Sequence, residues 1–358
     1  MNRDIKKVIR VGNVAIGGRN PIVIQSMAKV KTSDTGRVLK QISELENAGC
    51  QIVRLAIKDM DDARLFRKIK RQSSLPLVAD IHFDYRLALA AIDSGADKIR
   101  LNPGNIYKKK EIKEVVSALR LANIPLRIGL NSGSVRGSNL KNISMPDKLV
   151  RSALSYIKIV ESFKFRDIII SLKASSVLDT VLAYRKMAKL SGYPLHLGVT
   201  ATGPAYAGMI KSSIALGALL LEGIGDTIRV SLAAKPVQEV YAARSILESL
   251  NLRSFGPEII SCPTCGRCEV DLISIVKKLE KELSGYSVSQ LSCFAGKRLK
   301  VALMGCVVNG PGEAKEADLG VAFGKKEGLL FKNGKAVKKI SFSDSINVLL
   351  KEMENKNG

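Results

Sequence analysis

Tryptophan is absent from the 358 residues, and the aromatic residues together make up 5%. A protein that binds single-stranded nucleic acid needs aromatic platforms for the bases, so this class starts with little material. No run of about 18 apolar residues occurs, which leaves no membrane-spanning helix to expect. The longest greasy run, 214–221, is broken by Gly217 and reads as a buried helix. The basic start, Met1-Asn2-Arg3-Asp4-Ile5-Lys6-Lys7, leads into no apolar stretch, so no secretory signal is expected and the chain reads as cytoplasmic. The phosphate-binding fingerprint G-x-G-x-x-G is missing after the first apolar run, where a doubly wound dinucleotide-binding sheet would carry it. That run continues instead into Gln25-Ser26-Met27-Ala28. Histidine is nearly absent too, with only His82 and His196, and acids number 33 against 57 Lys and Arg, a formal charge of +24. Such a charge favours anionic partners.

Hydrophobic residues make up 46% of the chain, and with so few aromatics the core must rest on Ile, Leu, Val and Ala. Short apolar runs at 21–27, 51–57, 76–82, 97–103, 125–131, 167–173, 194–200 and 226–232 alternate with amphipathic stretches. In 35–48, for example, Val38, Ile42 and Leu45 share one helical face. Gly49, Gly95, Gly192 and Gly223 stand where helices should end. Eight βα units in about 250 residues match a TIM barrel in count and size, and the segment 8–17 is expected to form a hairpin closing its floor. The pattern stops near Asn251, with 255–257 as linker, so residues 1–253 form the barrel and 254–358 a smaller α+β domain. That second region offers a helix at about 269–283, a strand at 299–304, an Asn333-Gly334 hairpin turn and a last helix at 344–353.

Strands of a parallel barrel are covered on both faces and should be nearly all apolar. Here Arg54, Arg100, Arg127, Lys173 and Arg229 interrupt the runs. Polar companions follow at a period of two, which puts each pair on one strand face: Arg100 with Asn102, Arg127 with Asn131, Arg229 with Ser231, Asp80 with His82, His196 with Thr200. Most sit in the C-terminal halves, where barrel active sites are built. Asp80 and Glu222 are too few to balance five converging cations, so an anionic ligand is expected, held by charge-assisted hydrogen bonds.

Of six cysteines, Cys262, Cys265, Cys268 and Cys293 lie close together, and Cys306 follows in a Gly- and Pro-rich loop. Clustered thiols in a reducing compartment point to metal or redox chemistry rather than disulfides. Zinc on Cys262, Cys265, Cys293 and Cys306 and an iron–sulfur cluster both satisfy the spacing.

Several longer motifs then narrow the choice. They are Gly17-Gly-Arg-Asn-Pro-Ile-Val-Ile-Gln-Ser-Met27, Val78-Ala-Asp-Ile-His-Phe-Asp-Tyr-Arg86, Lys98-Ile-Arg-Leu-Asn-Pro-Gly-Asn105, Leu195-His-Leu-Gly-Val-Thr200 and Glu222-Gly-Ile-Gly-Asp-Thr-Ile-Arg-Val-Ser-Leu232. To these add Ser261-Cys-Pro-Thr-Cys-Gly-Arg267 and Met304-Gly-Cys-Val-Val-Asn-Gly-Pro-Gly-Glu313. Over nearly its whole length the chain resembles the bacterial 4-hydroxy-3-methylbut-2-enyl diphosphate synthases of the methylerythritol phosphate route to isoprenoids. The resemblance implies a TIM barrel followed by a domain like the sulfite and nitrite reductase half-domains. It implies a 4Fe-4S cluster on Cys262, Cys265, Cys306 and Glu313. The small diphosphate substrate would be held by Arg54, Arg100, Arg127, Lys173, Arg229 and Ser231, with Asp80 and Asn131 nearby. Reduced flavodoxin or ferredoxin would supply electrons, and the assembly would be a homodimer without nucleic acid or membrane. Catalytic work would fall to Glu313, Asp80, His82 and His196. The chain departs from the family pattern in three places: Ala201-Thr202 stands where Glu-Ala is usual, Ala28-Lys29 where Thr-Asn is usual, and Cys268 where Thr or an apolar residue is commoner. Two other readings use the same features, a zinc-bearing nucleic-acid-binding protein and a pterin-type transferase barrel.

Overall fold

β-Branched residues crowd the apolar runs, and their stiff side chains suit a pleated surface better than a helix. In the computed structural model, which describes residues 5–135, 143–284, 286 and 299–355, the chain divides into two compact units, Met1–Arg253 and Ser254–Gly358.

The first unit opens with an antiparallel hairpin, β1 (Ile9–Val11) and β2 (Val14–Ile16). Eight parallel strands follow: β3 (Val23–Met27), β4 (Ile52–Ile57), β5 (Leu77–Ile81), β6 (Lys98–Leu101), β7 (Leu126–Asn131), β8 (Ile168–Lys173), β9 (His196–Leu197) and β10 (Thr227–Ile228). Their lateral order is β8-β7-β6-β5-β4-β3-β10-β9. A parallel bridge between Ile170 and Leu195 joins the two ends, reinforced by the Ile170 N–H donating to the Pro194 carbonyl at 3.0 Å. The sheet is thereby a closed eight-stranded barrel.

Each strand feeds a helix on the outside: α1 (Thr35–Asn47), α2 (Met60–Gln72), α3 (Tyr85–Asp93), α4 (Lys109–Ala122), α5 (Met145–Ser162), α6 (Val177–Leu190), α7 (Ala205–Leu221) and α8 (Pro236–Ser249). Side chains of Asp34, Asp59, Asp84, Ser144 and Ser176 accept from the first-turn N–H groups of α1, α2, α3, α5 and α6, satisfying donors that a helix start leaves open. In α1 the expected face, Val38, Ile42 and Leu45, is buried. Gly49, Gly95 and Gly223 carry positive φ after their helices. Gly192 does not, because α6 leaves through extended Ser191 instead. The run 214–221 is only half interior: Ile214 and Leu221 face solvent, as do Tyr206 and Ile210 earlier on α7.

Two expected strands are shorter than the sequence pattern suggested. The runs 194–200 and 226–232 pair as strands only at His196–Leu197 and Thr227–Ile228. Beyond them the backbone finds other partners. Thr200 N–H donates to the Ala174 carbonyl at 3.1 Å, and Leu232 N–H to the Glu239 carboxylate at 2.9 Å.

Barrel polarity follows from the pleat. Ile9, Val11 and Ile16 of the hairpin pack with Val23, Ile52, Val78 and Ile169. These four are the inward positions at the N-terminal ends of their strands, so the hairpin is an apolar floor. Counting on by twos places Gln25, Arg54, Asp80, Ser171 and Lys173 inside as well. Register brings Lys98 beside Val78, and Arg100 between Asp80 and Arg127. The interior is therefore oil below and charge above.

The second unit is a five-stranded mixed sheet, β11 (Glu258–Ser261), β12 (Lys300–Met304), β13 (Leu319–Phe323), β14 (Gly328–Lys332) and β15 (Lys335–Ile340), in that order. The first three are parallel and the last three antiparallel. One face packs under helix α9 (Leu272–Ser284) and the terminal helix Ser345–Asn355 around Leu279, Val301, Leu303, Val321, Phe323 and Leu349. Ala302, Met304, Ala322 and Phe331 of the other face pack with Ala314 of the short helix Gly310–Lys315. The Asn333-Gly334 turn joins β14 and β15 with positive φ at both residues, as a two-residue hairpin demands. Strands β11 and β13 and the helix Gly310–Lys315 were not anticipated, each being too short for its periodicity to show.

Ile16 is fully buried in the floor. Ile16→Ala should cost about 2–5 kcal/mol in urea unfolding followed by circular dichroism, whereas Ile5→Ala, at a 64% exposed position, should leave the midpoint in place.

Candidate active site

The barrel cations enter the interior at several levels: Lys98 opens β6, Arg127 and Arg54 lie in the first halves of β7 and β4, Arg100 in the second half of β6, Lys173 ends β8 and Arg229 follows β10. Arg100 is held by Asp80 (Nη1 to Oδ1, 3.0 Å) and by the Gly129 carbonyl (2.8 Å). Arg54 approaches the other Asp80 oxygen at 3.5 Å and rests its guanidinium on Met27 sulfur. Arg229 stands 3.7 Å from Glu239. Lys98, which sequence reasoning passed over, bonds Gln25 at 3.1 Å. For Arg127 Nε and Nη1, Lys173 Nζ, Arg100 Nε and Arg229 Nε no partner exists among the described residues, although all are buried.

Two close approaches make room for these long side chains. A Cβ on Gly129 would lie 2.7 Å from Arg100 Nε, and one on Gly198 would lie 2.5 Å from Lys173 Nζ and 2.7 Å from the Arg229 carbonyl. Any larger residue would drive a cation out of place.

The electrostatics are correspondingly strained. Burial, then the charges of Arg54 and Arg100, push Arg127 well below its usual range. Burial does the same to Lys173, with Arg229 and Arg127 adding to it, and to Lys98, with Arg127 and Arg54. Arg54 is drawn down to about 9, mainly by burial against the pull of Asp80. Burial alone would raise Asp80. Arg54, Arg100, a hydrogen bond from His82 and Arg127 together hold it well below the carboxylate range. Six cations, Arg54, Lys98, Arg100, Arg127, Lys173 and Arg229, thus face two buried carboxylates, Asp80 and Glu239. Such an excess in a low-dielectric interior is stabilised by an anionic ligand.

The remaining candidates sort by position. His82 is 46% exposed with Nε2 3.5 Å from Asp80. His196 is fully buried, Nδ1 against the Thr227 hydroxyl, with its Nε2 unpartnered. Burial, then the charges of Lys173 and Arg127, keep it well below its ordinary value, so it is a neutral imidazole. Asn131 and Ser231 are half-buried at the same rim. Asn102 is turned to its own loop, accepting from Gly104 N–H at 3.1 Å and the Ser134 hydroxyl at 3.3 Å. Glu222 does not balance the barrel cations: it lies outside, clasped by Arg185 at 3.0 Å. That part belongs to Glu239, whose signal was hidden because it comes from helix α8 rather than from a strand. Lys98 was legible at a period of two before Arg100.

In the second unit Cys262 follows β11 and Cys306 follows β12, neighbouring parallel strands. Gly305 N–H donates to Cys262 sulfur at 3.4 Å. Backbone N–H groups of Asn309 and Val308, then Gly310 and the charge of Arg267, draw the Cys306 thiol below its usual value against burial. Cys265 is exposed. Glu313 lies in the first turn of the helix Gly310–Lys315, exposed. Cys268 donates to the Val270 carbonyl at 3.2 Å, and its sulfur lies against Gly305, between the Cys262 and Cys306 positions. Cys293 lies outside the described residues. Among the described residues no three His, Cys, Asp or Glu side chains gather round one point.

Comparison with known proteins bears on both units. The GcpE TIM-barrel domain matches residues 6–244, and the GcpE protein C-terminal domain matches 258–355. The chain belongs to the GcpE family. Curated relatives called 4-hydroxy-3-methylbut-2-en-1-yl diphosphate synthase (flavodoxin) align over nearly its full length. The Fusobacterium nucleatum protein is 50% identical over 98% of both chains, and that of Clostridium perfringens 49% over 99% of both. The Geobacter sulfurreducens protein is 49% identical over 97% of this chain and 96% of its own. Among solved structures, a sialic acid synthetase from Leptospira borgpetersenii superposes with TM-score 0.50 at 14% identity, over 79% of this chain and 99% of that one. A 3-dehydroquinate dehydratase from Geobacillus kaustophilus also gives 0.50, at 18% identity over 71% and 100%. Both show the barrel of the GcpE fold and nothing further.

Two outcomes follow from the GcpE barrel interior. Arg127→Met removes a buried cation that makes no ion pair among the described residues and should stabilise the ligand-free protein by about 1–4 kcal/mol in thermal melts, while weakening pyrophosphate binding by calorimetry. His196, depressed in the folded chain, stays neutral where its unfolded counterpart gains a proton below about pH 6.5. Its contribution to stability is therefore complete above that pH and falls away as pH drops. His196→Gln should flatten the decline of the urea midpoint between pH 6.5 and 5.

Proposed function

We propose that this chain catalyses the reductive ring opening of 2-C-methyl-D-erythritol 2,4-cyclodiphosphate. The product is (E)-4-hydroxy-3-methylbut-2-enyl diphosphate plus water, with two electrons from reduced flavodoxin or ferredoxin. The observation that carries this is the barrel interior, where six cations face two carboxylates and four of the six, Arg100, Arg127, Lys173 and Arg229, keep N–H groups without a partner among the described residues. A compact diphosphate supplies the missing negative charge, and Arg binds its oxygens in bidentate fashion. The names of relatives at about half identity over the whole chain support the same reaction.

In this reading residues 1–253 bind the diphosphate through Arg54, Arg100, Arg127, Lys173, Arg229, Ser231 and Asn131. Asp80 holds Arg54 and Arg100 apart and in register, so that both present N–H groups to one ligand. His82, at the solvent edge and bonded to Asp80, is placed to pass a proton. Buried His196 acts as a neutral hydrogen-bonding group against the ligand. Residues 254–358 would hold a 4Fe-4S cluster on Cys262, Cys265, Cys306 and Glu313. The donor set suits it: Cys306 is biased toward thiolate by backbone N–H groups, Cys262 accepts a further N–H, and the exposed Glu313 carboxylate lies in the first turn of the helix Gly310–Lys315. A cluster of this kind supplies single-electron steps and a Lewis-acidic iron. The carboxylate of Glu313 is the exchangeable ligand in the set. The protein acts in the cytoplasm as a homodimer, a state favoured by the apolar stripe Tyr206, Ile210 and Ile214 along α7, which a single copy leaves to water.

Anaerobically reconstituted protein, given the cyclic diphosphate and reduced flavodoxin, should release the allylic diphosphate. A loaded, iron-replete protein that turns over nothing would end the proposal. Cys306→Ser should lose iron, whereas Cys50→Ser and Cys268→Ser should keep it.

A further inference from the structure

The segment after β10 carries Arg229 and Ser231; the Arg229 N–H still donates to the Leu197 carbonyl of β9 at 3.0 Å, and strand pairing ends there. Three side chains from elsewhere in the barrel converge on it. Lys29, in the loop after β3, donates to the carbonyls of Leu232 at 2.7 Å and Ala234 at 2.5 Å. Its ammonium also pairs with Glu239 at 2.8 Å. The Thr202 hydroxyl donates to the Ser231 carbonyl. Glu239, 2% exposed, accepts the Leu232 N–H at 2.9 Å and stands 3.5 Å from the Ser26 hydroxyl and 3.7 Å from Arg229.

Charge explains why this geometry matters. A buried carboxylate binds the nearest cation tightly unless another already neutralises it. Lys29 takes the Oε1 oxygen of Glu239, and Arg229 is left with a long contact to Oε2 and an unpartnered Nε. Without Lys29, Glu239 would draw Arg229 into a short ion pair and compete for it with an anionic ligand. Thr202 fixes the same segment from the other side through Ser231.

We infer that Lys29, Thr202 and Glu239 form a clamp that positions Arg229 and Ser231 for the diphosphate and keeps the Arg229 guanidinium available to it. None of the three needs to touch the ligand. Lys29 and Thr202 act as positioning residues. The inference rests on the proposed anion site and goes beyond it by assigning what prepares one wall of that site.

The test uses the full chain and inorganic pyrophosphate as probe in titration calorimetry, with KM and kcat measured in the reconstituted enzyme. The unsubstituted chain should bind pyrophosphate. Lys29→Met and Thr202→Val should each weaken binding by about tenfold, the loss of one well-placed charge-assisted contact. KM should rise by a similar factor and kcat should change less, with melting temperature and iron content held. Thr202→Ser, which keeps the hydroxyl, should restore binding, and Glu239→Gln combined with Lys29→Met should recover part of the loss, because the competing charge is gone. If the unsubstituted chain fails to bind pyrophosphate, the anion site itself is overturned and the clamp with it. If it binds and both single variants bind equally well, the clamp alone is overturned. A loss in Thr202→Ser as large as in Thr202→Val also overturns it, since the hydroxyl would then not be what holds Ser231.

Discussion

The barrel depends on how an excess of positive charge is kept inside a closed wall of strands. Burial and mutual repulsion both work against that excess, and each neighbouring feature answers to it. Asp80 divides its two oxygens between Arg54 and Arg100. Glu239 performs the corresponding service for Lys29 and Arg229. Glycine at positions 129 and 198 gives the long side chains somewhere to lie. The hairpin floor keeps water from reaching the charges from below. What the protein leaves uncompensated is the affinity it offers to a ligand, and stability in the empty state is lower in consequence.

The second unit solves a smaller version of the same problem with backbone groups. Its Cys262 and Cys306 stand at the ends of adjacent parallel strands, where the loop after β12 turns the N–H groups of Gly305, Val308, Asn309 and Gly310 toward sulfur. Those groups favour sulfur as an anion. Electrostatic preparation is thus done by side chains in the barrel and by main chain in the smaller sheet.

Much of the fold was legible because its signals are local. Eight runs of branched apolar residues, the glycines that end helices at 49, 95 and 223 and the Asn333-Gly334 turn each act over a few residues. The strand cations were legible because a charge at an inward position breaks a pattern that is otherwise uniform. The contacts that balance those charges were not. Glu239 reaches the site from a helix about 160 residues after Asp80 in sequence, and nothing in its neighbours distinguishes it from a surface acid. Glu222 was the natural guess and proved to be exactly such a surface group, paired to Arg185. The shortening of β9 and β10 escaped for a similar reason: Thr200 and Leu232 look like strand residues, but their N–H groups are claimed by partners far along the chain.

The hairpin of β1 and β2 makes the barrel a blind well. Its apolar plug, Ile9, Val11 and Ile16 against Val23, Ile52, Val78 and Ile169, shuts one end, so a molecule reaching the cations leaves by the rim through which it came. Arrival and departure share a single doorway. An outgoing diphosphate therefore blocks the next incoming one, and the two exclude each other as rivals for the same space.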